Sequence, residues 1–284
     1  MSIEKLSFQH QQILGERLKK VRTSLSEYSF ANLYLFRIIH DYQVLTEGQE
    51  IFVIGKTYDG QRYVMPTAEP DSSTAQKILD LAREYDCIFP IPEEWLKYFD
   101  GNNVRQEFLE GDSDYIFRAE KIATYRGQKL HSKKNLLNQF LSLYSPRPLP
   151  LTRERMSDAL NILESWQTDT GESHSATDYV ACREAFELYD ELVLCGGIYY
   201  VNDEPAGFII GEEITDSMFT LHFAKGKRKF KGMYQYMYNH FVNILPKKYE
   251  ELNFEQDMGN LALRIAKSSY HPDRLLRKYR IRAA

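Results

Sequence analysis

The hydrophobic and polar positions of this chain follow a helical period in some segments and a strand period in others. This combination predicts a mixed α/β fold. In the first half, helices are predicted at residues 9–22, 26–35, 73–85 and 131–144 and at EEWLKYF. Strands are predicted at QVLTEG, EIFVIGKTY, QRYVMP and CIFPI, and strand-like alternation continues over residues 105–118. Asp59-Gly60 is typical of a hairpin turn between the second and third of these strands.

The second half has the order ααβββαβα. Its helices are predicted at residues 153–169, 178–192 and 232–245 and at MGNLALRIAKS. Its strands are predicted at LVLCGGIYYVN, AGFIIGEEI, MFTLHFAKG and EELNFEQ.

Between the halves lies SPRPLPL, residues 145–151, whose alternate prolines cannot continue a helix and favour a stiff, extended linker. This predicts two domains, at residues 1–145 and 146–284. In both halves, helices precede an antiparallel meander, and a βα unit follows it. This is the element order of GNAT-type acyltransferases, so we expect two tandem GNAT-like domains.

Composition narrows the class of protein. The chain is 43% hydrophobic and 27% charged, and its longest apolar runs have the length of strands, well below the ~18 residues of a membrane span. The first residues, MSIEKLSFQHQQ, lack the apolar core of a signal peptide, and the three cysteines have no CxxC spacing. We therefore expect a cytoplasmic protein without a metal site. No serine-hydrolase elbow, HExxH motif or Walker A loop is present in the sequence.

Charge is distributed unevenly along the chain. The formal net charge is -4, but residues 217–284 carry 14 Lys/Arg against 5 Asp/Glu, which is +9. The rest of the chain therefore carries -13. Such asymmetry makes an anion-binding surface in this segment plausible, although solvated helix faces would give the same count.

The strongest candidate for anion binding is KGKRKFKGMYQYMYNHF, where five basic residues precede a glycine that begins a predicted helix. A helix N-terminus with free N–H groups favours a phosphate, and GNAT enzymes bind the coenzyme A pyrophosphate at such a turn. The predicted donor-binding residues are Lys225, Lys229, Lys231, Gly232, Tyr234 and Gln235. Tyr234 occupies a position that is small in the coenzyme A signature, which argues against coenzyme A, and a plain cationic turn is the alternative.

The strand predicted at EELNFEQ continues into polar residues that would alternate onto one face, Asn253, Glu255 and Asp257. Two carboxylates placed in this way could share a proton and act in proton transfer. The alternative is structural. In that case Asp257 or Asn260 caps the following helix, and Glu255 pairs with Arg264 or Lys267. His222, in the preceding strand, is interpreted as a hydrogen-bonded structural histidine.

Four stretches resemble one known family. They are IATYRGQKLHSKKNLLNQF, GGIYYVNDEPAGFIIGEEI, KGMYQYMYNHF and NFEQDMGNLALRIAKSSYHPDRLLRKY. The family is the one grouped with the C-terminal domain of phosphatidylglycerol lysyltransferase, and the resemblance covers most of the chain after about residue 114. It implies a tandem GNAT-like fold and a cleft lined by Asn253, Glu255, Asp257, Gly259, Arg264 and Lys267.

The lysyltransferases of this family use aminoacyl-tRNA and a lipid acceptor, and they carry a long membrane region that this sequence lacks. The leading hypothesis is therefore a soluble transferase that moves an aminoacyl or acyl group from aminoacyl-tRNA to an amine or hydroxyl. Its acceptor could be a small molecule, a peptide or a lipid headgroup. Glu255 and Asp257 are the predicted catalytic residues, and Asn253, Arg264 and Lys267 are predicted to line the cleft. The alternatives are an acetyl-CoA-dependent N-acetyltransferase and a non-catalytic binding module.

Overall fold

The computed structural model describes residues 1–101 and 103–283, which form two compact units. Unit 1 comprises Met1–Asp114, Gln256–Arg264 and the segment from Leu275 onward. Unit 2 comprises Tyr115–Glu255 and Ile265–Arg274. The boundary predicted after residue 145 therefore falls inside unit 2, and both units are built from segments that are discontinuous in sequence.

The regular elements largely follow the predicted ones. The helices are α1 (Gln11–Leu18), α2 (Phe30–Phe36), α3 (Ser72–Leu81), α4 (Ala119–Thr124), α5 (His131–Leu143), α6 (Met156–Thr170), α7 (Tyr179–Glu187), α8 (Met233–Ile244) and α9 (Leu261–Ser268). The strands are β1 (Ser2–Lys5), β2 (Gln43–Glu47), β3 (Glu50–Lys56), β4 (Arg62–Pro66), β5 (Cys87–Pro92), β6 (Val104–Phe108), β7 (Asp114–Arg118), β8 (Pro146–Pro150), β9 (Cys195–Val201), β10 (Glu204–Thr215), β11 (Met218–Gly226), β12 (Glu251–Asn253), β13 (Arg274–Leu276) and β14 (Lys278–Ala283). The EEWLKYF segment forms a 3-10 helix at Glu93–Tyr98.

The sheet of unit 1 has the strand order β1-β2-β3-β4-β5-β14-β6. Strands β1 to β4 form an antiparallel meander, and β4 and β5 are parallel. Strand β14 lies between β5 and β6 and is antiparallel to both. A segment more than 160 residues further along the chain therefore completes the interior of this sheet.

Strand β14 contains two fully buried cations, Lys278 and Arg280. The high charge of this segment would favour a position at the surface, but β14 is an inner strand of the sheet. Buried charges require close partners. Lys278 Nζ lies 2.7 Å from Glu27 and 2.6 Å from Asp114, and Arg280 forms 2.8 Å contacts with Asp59 and Asp112. These cations stabilise the interior of unit 1 and are not available to a phosphate.

The sheet of unit 2 has the order β13-β7-β12-β11-β10-β9-β8. The pairs β7-β12, β11-β10, β10-β9 and β9-β8 are antiparallel, and β12 and β11 are parallel. Helix α8 packs on one side of the sheet together with α4 and α5. Strand β7 and helices α4 and α5, which precede the predicted boundary, are thus part of unit 2.

The proline-rich segment SPRPLPL contains strand β8, which pairs antiparallel with β9 from Pro146↔Val201 to Pro150↔Gly197. The prediction of an extended backbone is confirmed, but the segment is an edge strand of unit 2 and not a linker. Over residues 1–101 and 103–283, no helix is both long enough and apolar enough to cross a membrane.

Candidate functional site

A polar cluster in the sheet of unit 2 is centred on His222 of β11. The register between β10 and β11 shifts at this point: Ile210 pairs with Phe223 but Gly211 pairs with Leu221, so His222 is the extra residue of a β-bulge. Bulges re-aim a side chain relative to the regular alternation of a strand. Here the re-aimed imidazole contacts carboxylates that come from two other segments.

Gly211 makes the bulge possible. A Cβ atom at this position would lie 2.0 Å from the backbone oxygen of Thr220, so any side chain would force β10 and β11 apart. The close approach of these two backbones is what places His222 beside Glu212. The Nε2 atom of His222 lies 2.9 Å from Oε1 of Glu212.

The second carboxylate is that of Glu255, which follows β12. Its Oε1 atom lies 2.7 Å from His222 Nδ1. The Glu255 backbone has φ +58°, a left-handed conformation that costs a non-glycine residue about 1 kcal/mol or more. Three contacts hold it: its N–H donates to Asn253 Oδ1 at 2.7 Å, and its C=O accepts from Tyr115 N–H and Lys267 Nζ, each at 3.2 Å. Asn253 and Lys267 therefore position Glu255.

The electrostatics of the cluster fix the protonation state of His222. Burial alone would lower the pKa of the imidazole, but the Coulombic attraction of Glu255 and the hydrogen bonds of both carboxylates outweigh it. The pKa of His222 is raised to about 10. At neutral pH the ring is an imidazolium that donates from both nitrogens, so it cannot act as a general base.

The carboxylates are the solvent-facing side of this cluster. The side chain of His222 is 0% exposed, whereas those of Glu212 and Glu255 are 13% and 14% exposed. A cation between two carboxylates leaves a formal charge of -1 for the three groups. Oxygen atoms in this environment can bind an ammonium group or accept a hydrogen bond or proton from an attacking amine or hydroxyl.

Asp257, the other predicted catalytic residue, is fully buried in unit 1. Its oxygens accept two hydrogen bonds from Arg264, at 2.8 and 3.0 Å, and a third from Gly259 N–H at 2.8 Å. The strand predicted at EELNFEQ is too long at its C-terminal end, because β12 ends at Asn253 and the chain then turns through positive φ at Glu255 and Met258. The alternation argument that paired Glu255 with Asp257 therefore does not hold.

The structural alternatives are resolved by individual contacts. Asn260, not Asp257, caps α9: its Oδ1 accepts from the N–H groups of Ala262 and Leu263 at 2.9 and 3.2 Å. Arg264 pairs with Asp257, while Lys267 contacts the backbone of Glu255. The Glu255 carboxylate binds His222, which was not among the predicted partners.

The lysines of the predicted donor site are largely neutralised within unit 2. Lys225 is buried, with both oxygens of Asp178 2.7 Å from its Nζ and the ring of Trp166 beneath it at 3.8 Å. Lys229 lies 2.5 Å from Glu204, which also binds a neighbouring lysine. Contacts of this kind bind the basic turn to the protein itself and reduce its attraction for a phosphate.

Gly232 begins α8 as predicted, with φ +88°. The atoms that lie closest to it belong to the protein itself. A Cβ here would lie 2.5 Å from the backbone oxygen of Leu136 and 2.9 Å from Phe140 Cβ, both of α5. Gly232 is therefore required for the close packing of α8 against α5. Lys231, the preceding residue, is exposed.

The last two predicted donor residues also make internal contacts. The hydroxyl of Tyr234 accepts the N–H of Gly226 at 3.2 Å. The Gln235 side chain donates to the hydroxyl of Tyr270 at 2.9 Å. Together they join α8 to its neighbours in unit 2.

Sequence reasoning missed Glu212 and the ionic role of His222. A signal does exist in the chain: a glycine within β10 directly before paired glutamates, opposite a strand that carries a lone histidine. That signal becomes specific only when the strand register is known.

Two mixed sheets with helices on them, together with the order of elements along the chain, are typical of a tandem GNAT-like fold, and the predicted fold class is confirmed. The chain belongs to the family described as phosphatidylglycerol lysyltransferase, C-terminal, whose model matches residues 18–282. The resemblance found in the sequence is thereby confirmed. Family and fold together indicate a GNAT-like acyltransferase related to lysylphosphatidylglycerol synthase.

One related sequence is an uncharacterised protein of Mycoplasmoides gallisepticum, strain R(low / passage 15 / clone 2). It is 24% identical over 206 residues, which are 69% of this chain. The matched region spans 64% of that protein's own length.

Three solved structures are similar in fold. A conserved protein of unknown function from Bacteroides thetaiotaomicron VPI-5482 is 23% identical, with all of both chains covered and a TM-score of 0.87. L-PGS from Bacillus licheniformis is 15% identical, with 95% of this chain and 91% of that chain covered and a TM-score of 0.62. FemX is 7% identical, with 100% and 95% covered and a TM-score of 0.62. At these identities the likeness is evidence for the fold alone.

Proposed function

We propose that this protein transfers an aminoacyl group from aminoacyl-tRNA to an amine or hydroxyl acceptor. The proposal starts from the family, whose name specifies lysyl transfer. It then rests on one structural observation at the N-terminus of α8, which bears on whether the donor is coenzyme A or aminoacyl-tRNA.

At that N-terminus, Leu136 and Phe140 of α5 fill the space next to Gly232. Coenzyme A requires this space for its pyrophosphate, because phosphate groups bind where helix N–H groups are free. Because α5 packs against Gly232 and carboxylates neutralise Lys225 and Lys229, an acetyl-CoA donor is disfavoured. An aminoacyl ester needs no pyrophosphate site, so this arrangement is compatible with aminoacyl-tRNA.

Activation of the acceptor is assigned to the His222 cluster. The nucleophilic nitrogen or oxygen attacks the ester carbonyl of the aminoacyl group, the new amide or ester bond forms, and the bond to the ribose oxygen of tRNA breaks. Glu255 accepts the proton of the nucleophile and returns it to the departing ribose oxygen. His222, already protonated, holds the Glu255 carboxylate in place throughout.

The test is transfer from a pool of radiolabelled aminoacyl-tRNA to phosphatidylglycerol vesicles and to a lysine-containing peptide. We expect Glu255→Gln to lower turnover by about 10²–10⁴-fold, since it removes the proton acceptor. Retention of the charged tRNA should not change, because Gln still accepts a hydrogen bond from His222.

The matched control is Glu172→Gln, an exposed carboxylate of unit 2 outside the cluster, which should leave the rate unchanged. Transfer from acetyl-CoA, but not from charged tRNA, would replace the proposal with an N-acetyltransferase. Absence of transfer from either donor, with unchanged ligand binding in both variants, would favour a non-catalytic binding module.

A further inference from the structure

A second polar site lies in unit 2 where α4 leads into α5. A surface cavity of about 470 Å³ is present there, lined by Tyr125, Arg126, Gly127, Gln128, His131 and Lys134. The connection is held open by its backbone. Tyr125 ends α4 with φ +44°, and Gly127 has φ +92°. The cavity is therefore formed by a fixed turn and the first turns of α5.

The side chains around this cavity are cationic and largely unneutralised. Arg126, Lys129 and Lys134 are all exposed. Arg126 has one carboxylate partner, Glu120, at 3.9 Å with both side chains about four-fifths exposed, and such surface pairs contribute little. For Lys129 and Lys134, no ion pair is present within residues 1–101 and 103–283. This contrasts with Lys225 and Lys229, which carboxylates neutralise.

Hydrogen-bond donors complete the lining. Asn135 Nδ2 lies 3.3 Å from His131 Nδ1, and when Nδ1 accepts this hydrogen bond the ring can donate from Nε2. His131 is also the first residue of the 13-residue helix α5, whose N-cap residue, Leu130, provides no side-chain hydrogen bond to the helix. The positive end of the α5 dipole thus lies at the cavity, together with the cations.

We propose that this cavity, defined by residues 125–134, binds the phosphodiester backbone of tRNA. The inference rests on the proposed function and identifies where the donor's nucleic acid docks. Phosphodiesters match a lining of arginine, lysine and N–H donors, which supply charge and hydrogen bonds together. A lipid surface fits less well, because the only aromatic lining residue, Tyr125, is fully buried and cannot insert into a bilayer.

The experiment measures binding of fluorescein-labelled bulk tRNA by anisotropy between 50 and 300 mM KCl. The variant is Arg126→Gln/Lys134→Gln, and the control is Lys19→Gln/Lys20→Gln, an exposed pair with the same change of charge. We expect the first variant to bind at least about 10-fold more weakly at low salt. Its slope of log affinity against log salt should fall by about 1.4–1.8, since each of the two lost phosphate contacts contributes roughly 0.7–0.9. The control should bind like the unmodified protein.

Three results would overturn the proposal. Equal weakening by both double variants would mean that only net charge matters. Loss of binding to phosphatidylglycerol vesicles, with tRNA binding unchanged, would mean that the cavity recognises a membrane. Unchanged tRNA affinity and unchanged transfer in the Arg126→Gln/Lys134→Gln variant would contradict this site while leaving the proposed function intact. By contrast, an unmodified protein that binds no tRNA at any salt concentration would contradict both.

Discussion

His222 illustrates how a single residue can be misread when its partners come from elsewhere in the chain. In the sequence it is a lone histidine in an apolar strand. In the fold it is the extra residue of a bulge, and it bridges Glu212 and Glu255 at 2.9 and 2.7 Å. Because its pKa is raised to about 10, the protonated ring contributes to folding stability as well as to the site.

Because protonation of His222 is coupled to folding, the stability of the protein should depend on pH. A histidine whose pKa is higher in the folded state stabilises it fully below about pH 6.5, and this contribution declines as pH rises toward 10. The free energy of unfolding should therefore fall by about 2–3 kcal/mol between pH 6.5 and 9. Urea denaturation across this range should show the decline, and His222→Gln should flatten it. The exposed His174→Gln variant should retain the full dependence, and a His222→Gln profile parallel to the unmodified protein would contradict the assignment.

At the scale of elements, the contact between α5 and α8 bears on the proposed donor. Gly232 allows the backbone of α8 to begin directly against Leu136 of α5. Gly171, at the end of α6, has a similar left-handed φ of +72°, but a Cβ added there would meet no atom within 4 Å.

These two glycines form a matched pair for measurement. Gly171→Ala should cost about 1 kcal/mol of unfolding free energy, because only the backbone conformation is strained. Gly232→Ala should cost a further 1–3 kcal/mol or so, because its Cβ overlaps the backbone of α5. Thermal denaturation of both variants tests this difference. Equal costs would show that α5 moves aside easily and that the space at α8 is not closed.

At the scale of the whole molecule, charge and topology are connected. The basic C-terminal segment suggested a partner of opposite charge, yet Lys278 and Arg280 use their charge inside unit 1. They neutralise carboxylates contributed by sequence positions between 27 and 114. Net charge along the sequence therefore gave a poor indication of where an anion could bind.

A truncated chain tests whether the buried cations of β14 are needed for the sheet of unit 1. Removing residues 278–284 separates β5 from β6 and leaves Glu27, Asp112 and Asp114 buried without their cations, an arrangement that costs several kcal/mol. Hydrogen exchange should show lost protection in residues 1–114, while the sheet of unit 2, which keeps its own strands, should remain protected. Removing only residues 283–284 is the control. Persisting protection in β5 of the shorter chain would contradict the structural role of β14.

Most helices and strands could be predicted because their periodicity is local. Helix α5 and strands β2 to β5 follow from apolar spacing within a dozen residues. The interior position of β14 could not be predicted, because its charges indicate a surface until the distant carboxylates are known. The proline segment was ambiguous for a similar reason, since an extended chain and an edge strand have the same local backbone.

The candidate site was predicted only in part. Glu255 was identified, together with the positioning residues Asn253 and Lys267, because they lie close in sequence and match the family segment. Glu212 and His222 were not identified, because a bulge changes which side of a strand a residue faces and leaves no periodic signal. The cavity at residues 125–134 depends on which cations remain unneutralised, and that is decided by tertiary contacts.

The prolines of β8 have a consequence for self-association. Leu151, just beyond the strand, donates its N–H to Gly196 of β9, so the alternate residues Arg147 and Leu149 also direct their backbone toward β9. The prolines at 146, 148 and 150 direct theirs outward, where they have no N–H to offer. An incoming strand from another molecule would find few donors along this edge, so β8 protects the sheet of unit 2 against edge-to-edge aggregation.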